Sequence, residues 1–119
     1  MKKVNRLTRS KDFKRVKDFG KSIYHPLLVL VYSRNEGTQT HAAVVAGKTI
    51  GNAVIRNKVK RRLKFCLDQL WQNVDWQWDL IFYSRAAIVD ANITDIYSAI
   101  EHLLLEAGVL GEKNNNNAC

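Results

Sequence analysis

Gly51-Asn52-Ala53-Val54-Ile55-Arg56-Asn57-Lys58-Val59-Lys60-Arg61-Arg62-Leu63-Lys64 is the stretch from which the architecture of this chain reads outward. Ile55, Val59 and Leu63, continued by Cys66, Leu67 and Leu70, recur at steps of three and four residues. At about 100° per residue they fill one stripe of a helix, predicted over 53–72. Asn57, Lys58, Lys60, Arg61, Arg62 and Lys64 fall on the remaining faces, so this helix has a core side and a cationic side. Gly51-Asn52 suits a capped N-terminus whose free N–H groups can also face an anion.

On the N-terminal side, Phe13 and Val16 share helical spacing within 10–19, with Phe19 near the end and Lys11, Lys14, Arg15 and Lys17 on other faces. Thr8 or Ser10 is expected to cap this helix, and Gly20 to stop it in the left-handed conformation. Leu27-Leu28-Val29-Leu30-Val31-Tyr32 reads as a strand, 35–38 as a turn, and His41-Ala42-Ala43-Val44-Val45-Ala46 as its antiparallel hairpin partner. A further short strand fits 21–24. On the C-terminal side, 79–83 is apolar enough for a strand buried in a sheet. A helix over 94–107 would turn Ile96, Tyr97, Ile100, Leu103, Leu104 and Ala107 inward, with Gly108 as its stop. The order α-β-β-β-α-β-α describes an α+β fold, a small, mostly antiparallel sheet covered by helices. Residues 1–110 are expected to form a single domain, and the Asn-rich 111–119 a disordered tail.

The charge is segregated along the chain. Residues 1–67 carry 17 Lys/Arg against Asp12, Asp18 and Glu36, and the remainder carries Arg85 and Lys113 against eight Asp/Glu. Local balances of +14 and −6 sum to the net +8. No acid interrupts the seven Lys/Arg from Lys48 to Lys64, and Arg56/Lys60 and Lys60/Lys64 are like-charge pairs at i,i+4. Each such pair costs a few tenths of a kcal/mol, a repulsion that phosphates would neutralise. The competing reading is an ordinary solvated cationic helix. A nucleic acid is expected over a membrane, because no long apolar span or lipidation motif is present. Met1-Lys2-Lys3 is not followed by an apolar run, so no signal peptide is expected. Cys66 and Cys119 stand in no metal or redox spacing, as in a reducing cytoplasm.

A constellation for catalysis is missing. Ala46-Gly47-Lys48-Thr49 resembles the end of a phosphate loop, but Ala42 stands where that loop needs Gly. His25, His41 and His102 have no ligand-spaced neighbours and read as surface or loop residues. Asp68, Asp75 and Asp79 flank a helix end and a loop, where solvation or capping accounts for them. Asn92-Ile93-Thr94 matches a glycosylation sequon, without meaning in the cytoplasm. No catalytic residue and no protein-bound metal is expected.

Gly51-Asn52-Ala53-Val54-x-Arg56-Asn57-x-x-Lys60-Arg61 resembles the signature of the bacterial ribonuclease P protein family. The likeness extends to Leu7, Asp12-Phe13, Gly20, Lys48, Asp79-Leu80-Ile81 and the closing apolar helix, to about Leu110. It implies a fold like the second domain of ribosomal protein S5, with a left-handed βαβ crossover through the basic helix. It implies partners as well: the catalytic RNA subunit, which performs the hydrolysis with magnesium, and precursor tRNA, whose 5′ leader the endoribonuclease removes. No obligatory protein partner is implied. Lys48, Asn52, Arg56, Asn57, Lys58, Lys60, Arg61 and Lys64 would contact RNA, and Phe13 and Lys17 would line a cleft for the leader. Lys58 and Lys64 stand where the family often has Arg, which keeps charge but loses the bidentate fork. Phe65 stands where Glu or Gln is common, Thr49 replaces a frequent second Lys, and Lys17 replaces an aromatic found in some members.

Phe13 has two readings, packing on the sheet or stacking on an unpaired base. Trp71, Trp76 and Trp78 are not interleaved with basic residues and are expected in the core or at an interface. Two other classes share the charge: a ribosomal or assembly protein, and a DNA-binding regulator. The regulator would need a helix packed in a tight turn before the basic one, and a strand and loop stand there instead.

Overall fold

The structure, a computed structural model, describes residues 6–110 apart from 38 and 76. The expected tail with Cys119, the chain start and Trp76 lie outside the described residues. Two strands that are apolar on both faces form the middle of a sheet: β2 (Leu28–Arg34) and β4 (Trp78–Ser84), antiparallel neighbours. β1 (Lys21–Tyr24) pairs antiparallel with β2, and β3 (His41–Val45) pairs parallel with β4, giving the order β1-β2-β4-β3. Alternation divides the strand residues between two cores. Leu28, Leu30, Ala42, Leu80 and Phe82 face the main core, and Val31 and Ile81 face a smaller one.

Among the described residues three α-helices cover this sheet: α1 (Ser10–Phe19), α2 (Ala53–Leu70) and α3 (Ile93–Ala107). The element order is α-β-β-β-α-β-α, as the hydrophobic pattern predicts. α2 and α3 close the main core with Val59, Leu63, Cys66, Leu67, Leu70, Ile96, Ala99, Ile100, Leu103 and Leu104. α1 lies on the opposite face, where Leu7 and Val16 are buried and Phe13 is partly so. Asn52 caps α2 by accepting a hydrogen bond from the Ile55 N–H at 3.0 Å. Asn92, the sequon asparagine, caps α3 in the same way through Asp95 N–H at 2.8 Å. Gly108 ends α3 at φ 78°, the expected left-handed stop.

The strands expected as a hairpin are not partners: β4 lies between β2 and β3. Six residues separate Arg34 from His41, enough to step across one strand, a distance of about 10 Å. Asn35 shapes that step, accepting from Gly37 N–H at 2.9 Å and donating to the Gln39 carbonyl at 3.0 Å. β3, α2 and β4 thus form a crossover between adjacent parallel strands.

Two caps also differ from expectation. Neither Thr8 nor Ser10 caps α1, whose N-cap is Arg9 with no side-chain bond; backbone bonds to the Arg9 carbonyl close the first turn. Gly20 is extended, at φ −79° and ψ 170°, rather than left-handed. Its requirement is steric, because a Cβ there would meet the Val16 carbonyl oxygen at 2.4 Å and that of Tyr32 at 2.7 Å.

Candidate nucleic-acid interface

The interface is built around the entry to α2. A 3-10 turn over Lys48–Ile50 buries Ile50 and leaves Lys48 exposed. Gly51 then takes φ 150°, and a Cβ there would press on the Ile55 side chain at 3.1 Å. The chain is thereby turned so that Ile55 packs against the main core and Asn52 begins the helix. Lys48 and Asn52 are exposed at the head of α2.

Along α2 the predicted cations divide by face. Asn57, Lys58 and Arg61 are exposed, and Arg56, Lys60 and Lys64 are half-buried in an i,i+4 row beside the core stripe. Their aliphatic stems cover apolar surface while the charged ends reach outward. None of these five cations takes part in an ion pair among the described residues. The Arg56 Nε is buried without a hydrogen-bond partner. Arg62 differs, because its guanidinium donates to the Ala91 carbonyl at 3.3 Å and ties α2 to the segment before α3. The structure therefore brings Lys48, Asn52, Arg56, Asn57, Lys58, Lys60, Arg61 and Lys64 together on one helix and its lead-in.

Phe13 and Lys17 belong to the other side of the sheet. Phe13 packs on the small core of Leu7, Val16, Val31 and Ile81 yet stays half-buried, and Lys17 is exposed in the last turn of α1. Val29, Ala43, Val45 and Tyr83 extend this floor as half-buried side chains. The ten-residue helix covers only part of this face, so these apolar side chains stay half-exposed beside α1. Burial pushes the Tyr83 hydroxyl's pKa up. Trp71 and Trp78 pack against the main core while half-buried.

Sequence reasoning missed one cluster. Asp79, assigned above to solvation or capping, is 2% exposed on β4. It accepts from the Arg15 guanidinium and from Asn35 Nδ2 at 2.9 Å, and His41 Nδ1 lies 3.3 Å away. His41 is thus a strand residue beside a buried carboxylate rather than a loop histidine. The hydrogen bond to Asp79 is the main cause that raises the Arg15 pKa above its ordinary value. This network fastens α1, which carries Phe13, to the sheet. An acid within an apolar strand was the available signal, since a buried charge requires partners. No group of three or more His, Cys, Asp or Glu suited to a metal occurs among the described residues.

Comparison with known proteins gives the family and the fold. The family model described as Ribonuclease P matches residues 1–108. The chain is similar to the ribonuclease P protein component of Herpetosiphon aurantiacus, at 33% identity over 90% of this chain and 87% of that one. It is 36% identical to that of Clostridium botulinum (strain Langeland), over 90% and 97% of the two chains. Among solved structures, the Staphylococcus aureus RNase P protein superposes with a TM-score of 0.82 at 27% identity, covering 90% of this chain and 98% of that one. The Thermotoga maritima RNase P protein shares the fold, with a TM-score of 0.76 at 20% identity over 83% and 94%. With the family model spanning nearly the whole chain and the basic helix in place, this chain belongs to the ribonuclease P protein family.

Proposed function

We propose that this chain is the protein subunit of ribonuclease P, binding the catalytic RNA through α2 and the 5′ leader of precursor tRNA through the cleft beside α1. The observation that carries the reading is that Arg56, Lys58, Lys60, Arg61 and Lys64 of α2 pair with no acid among the described residues, on a fold whose relatives are ribonuclease P protein components. Arg56 and Arg61 can fork two hydrogen bonds to a phosphate, and Lys48, Lys58, Lys60 and Lys64 supply mobile point charges. Asn52 and Asn57 add neutral hydrogen-bonding groups. Bringing two polyanions together is opposed by phosphate repulsion. A cationic helix on one and an apolar cleft for the unpaired strand of the other lower that cost without touching the scissile bond. In this reading the RNA performs the hydrolysis with its own magnesium, and the protein supplies no catalytic residue and needs no protein partner.

The work site would be the cytoplasm. Among the described residues no helix is long and apolar enough to cross a membrane. The test is reconstitution of the full chain with the RNA subunit and precursor tRNA at low magnesium. Stimulated release of the 5′ leader is expected. Leader release by the protein alone, or no stimulation with a folded protein, would overturn the proposal.

A further inference from the structure

At the other end of the strands from the α2 entry lies a cavity of about 250 Å³ lined by Phe19, Lys21, Tyr32, Ser33, Arg34 and Trp78. Strand register assembles it: Lys21 stands opposite Tyr32 across β1–β2, and Arg34 stands opposite Trp78 across β2–β4. The Tyr32 and Trp78 rings are 5.8 Å apart and tilted by 59°, and the Arg34 guanidinium carbon lies 4.7 Å over the Trp78 ring. Phe19, the last residue of α1, is 81% exposed beside them. The chain that follows it runs close against β2, because a Cβ on Gly20 would meet the Tyr32 carbonyl oxygen at 2.7 Å. Among the described residues the lining therefore offers three aromatic rings, two cations and two hydroxyls, and no carboxylate. α2 begins beyond Val45, which pairs with Tyr83, whereas Trp78 starts β4. By the rise of the intervening strand residues the two surfaces are roughly 15–20 Å apart.

We propose that this cavity is a further RNA-contact site that accepts one unpaired nucleotide, its base stacked on Phe19 and against the Arg34–Trp78 stack, and its phosphate held by Lys21 and Arg34. The inference rests on the RNA-binding reading above. A base has an apolar face that an exposed phenylalanine and a half-buried indole satisfy, and each nucleotide brings one anion for the two cations. Arg34 suits both roles, since a guanidinium stacks through its face and donates through its edge. A fully apolar ligand would leave Lys21 and Arg34 unused.

The nucleotide has two sources, the catalytic RNA or the leader, and two arms separate them. The full-length protein and its Phe19→Ala, Arg34→Ala and Arg61→Ala variants are titrated against the catalytic RNA alone. The reconstituted complexes are then titrated against precursor tRNA with a long or a minimal leader. In the arm that supplies the nucleotide, Phe19→Ala weakens binding by about 5- to 150-fold with an unchanged salt slope. Arg34→Ala weakens it too and lowers the slope by about 0.7. Ultraviolet crosslinks from RNA to the peptides holding Phe19 and Trp78 give a readout on the unaltered protein. If Arg61→Ala weakens binding while both pocket variants bind like the parent in every arm, this proposal falls and the RNA-binding reading stands. If all three variants bind like the parent, the RNA-binding reading itself fails.

Discussion

Arg61 and Arg62 are neighbours in sequence with different surroundings, and that difference makes the phosphate-binding reading testable by salt. Arg61 is exposed, whereas Arg62 is half-buried and bonded to the Ala91 carbonyl at 3.3 Å. Six cations of the interface (Lys48, Arg56, Lys58, Lys60, Arg61 and Lys64) have no ion-pair partner among the described residues. If all six meet phosphates, log K falls against log salt with a slope of about −5 on helical RNA, taking about 0.9 per phosphate. A fourfold rise in salt, from about 50 to 200 mM, then weakens binding by about 10³-fold. Arg61→Ala should flatten the slope by about 0.9 and leave thermal stability within about 0.5 kcal/mol of the parent. Arg62→Ala should leave the slope in place and cost on the order of 1 kcal/mol through the lost bond to Ala91. Filter binding or fluorescence anisotropy across a salt series measures the slopes, and urea denaturation measures the stabilities. Equal slope changes in the two variants would refute the division of α2 into a phosphate face and a packing face. Lost helicity in Arg61→Ala would make that residue structural.

Asp79→Ala should destabilise the fold by about 2–3 kcal/mol, since it strips a buried acceptor from Arg15 and Asn35; the figure is held down because Arg15 is 37% exposed and water can re-solvate it. A shift in urea midpoint worth under about 0.5 kcal/mol would remove the network's claim to anchor α1. Acid should weaken the fold through His25, whose pKa is lowered by burial first and by neighbouring His102 second. A lowered folded-state pKa means that the native chain binds fewer protons. Its stabilising contribution is therefore present above about pH 6.5 and lost as pH falls through the folded value. His25→Asn keeps an acceptor for the Leu27 N–H that His25 Nδ1 now satisfies at 3.0 Å, but does not titrate. Its stability should decline less below about pH 6.5 than the parent's, and identical acid limbs in urea melts would contradict this.

How much was legible follows from the range over which each feature is determined. α2 was readable because a single periodicity places Val59, Leu63 and Cys66 inward and, by the same rotation, Lys58 and Arg61 outward. The individual strands were readable for a similar local reason, but their pairing was not. Residues 28–34 and 41–45 look like a hairpin until β4, encoded beyond α2, takes the place between them. Gly20 was seen as a helix stop, yet its need for a missing side chain comes from the Tyr32 carbonyl on another strand. Asp79 announced itself only as an acid; that it is buried depends on Arg15, which is 64 positions away in the chain.

The α2 surface and the proposed pocket differ in the same way. On α2, core packing and cation display are two faces of one helix, so substitutions that kept the helix would also keep the cations aligned. The pocket at the far end has no such safeguard: Phe19, Tyr32, Arg34 and Trp78 meet only because α1, β2 and β4 hold one register. A one-residue slip of β4 would turn Trp78 to the opposite face and separate it from Tyr32 and Arg34. That register is fixed by apolar alternation on both faces of β4 and by Asp79, the residue next to Trp78, locked to Arg15 and Asn35. The buried acid thus holds α1, and with it the proposed leader surface, on one face and, by pinning the start of β4, keeps the indole in the proposed pocket on the other.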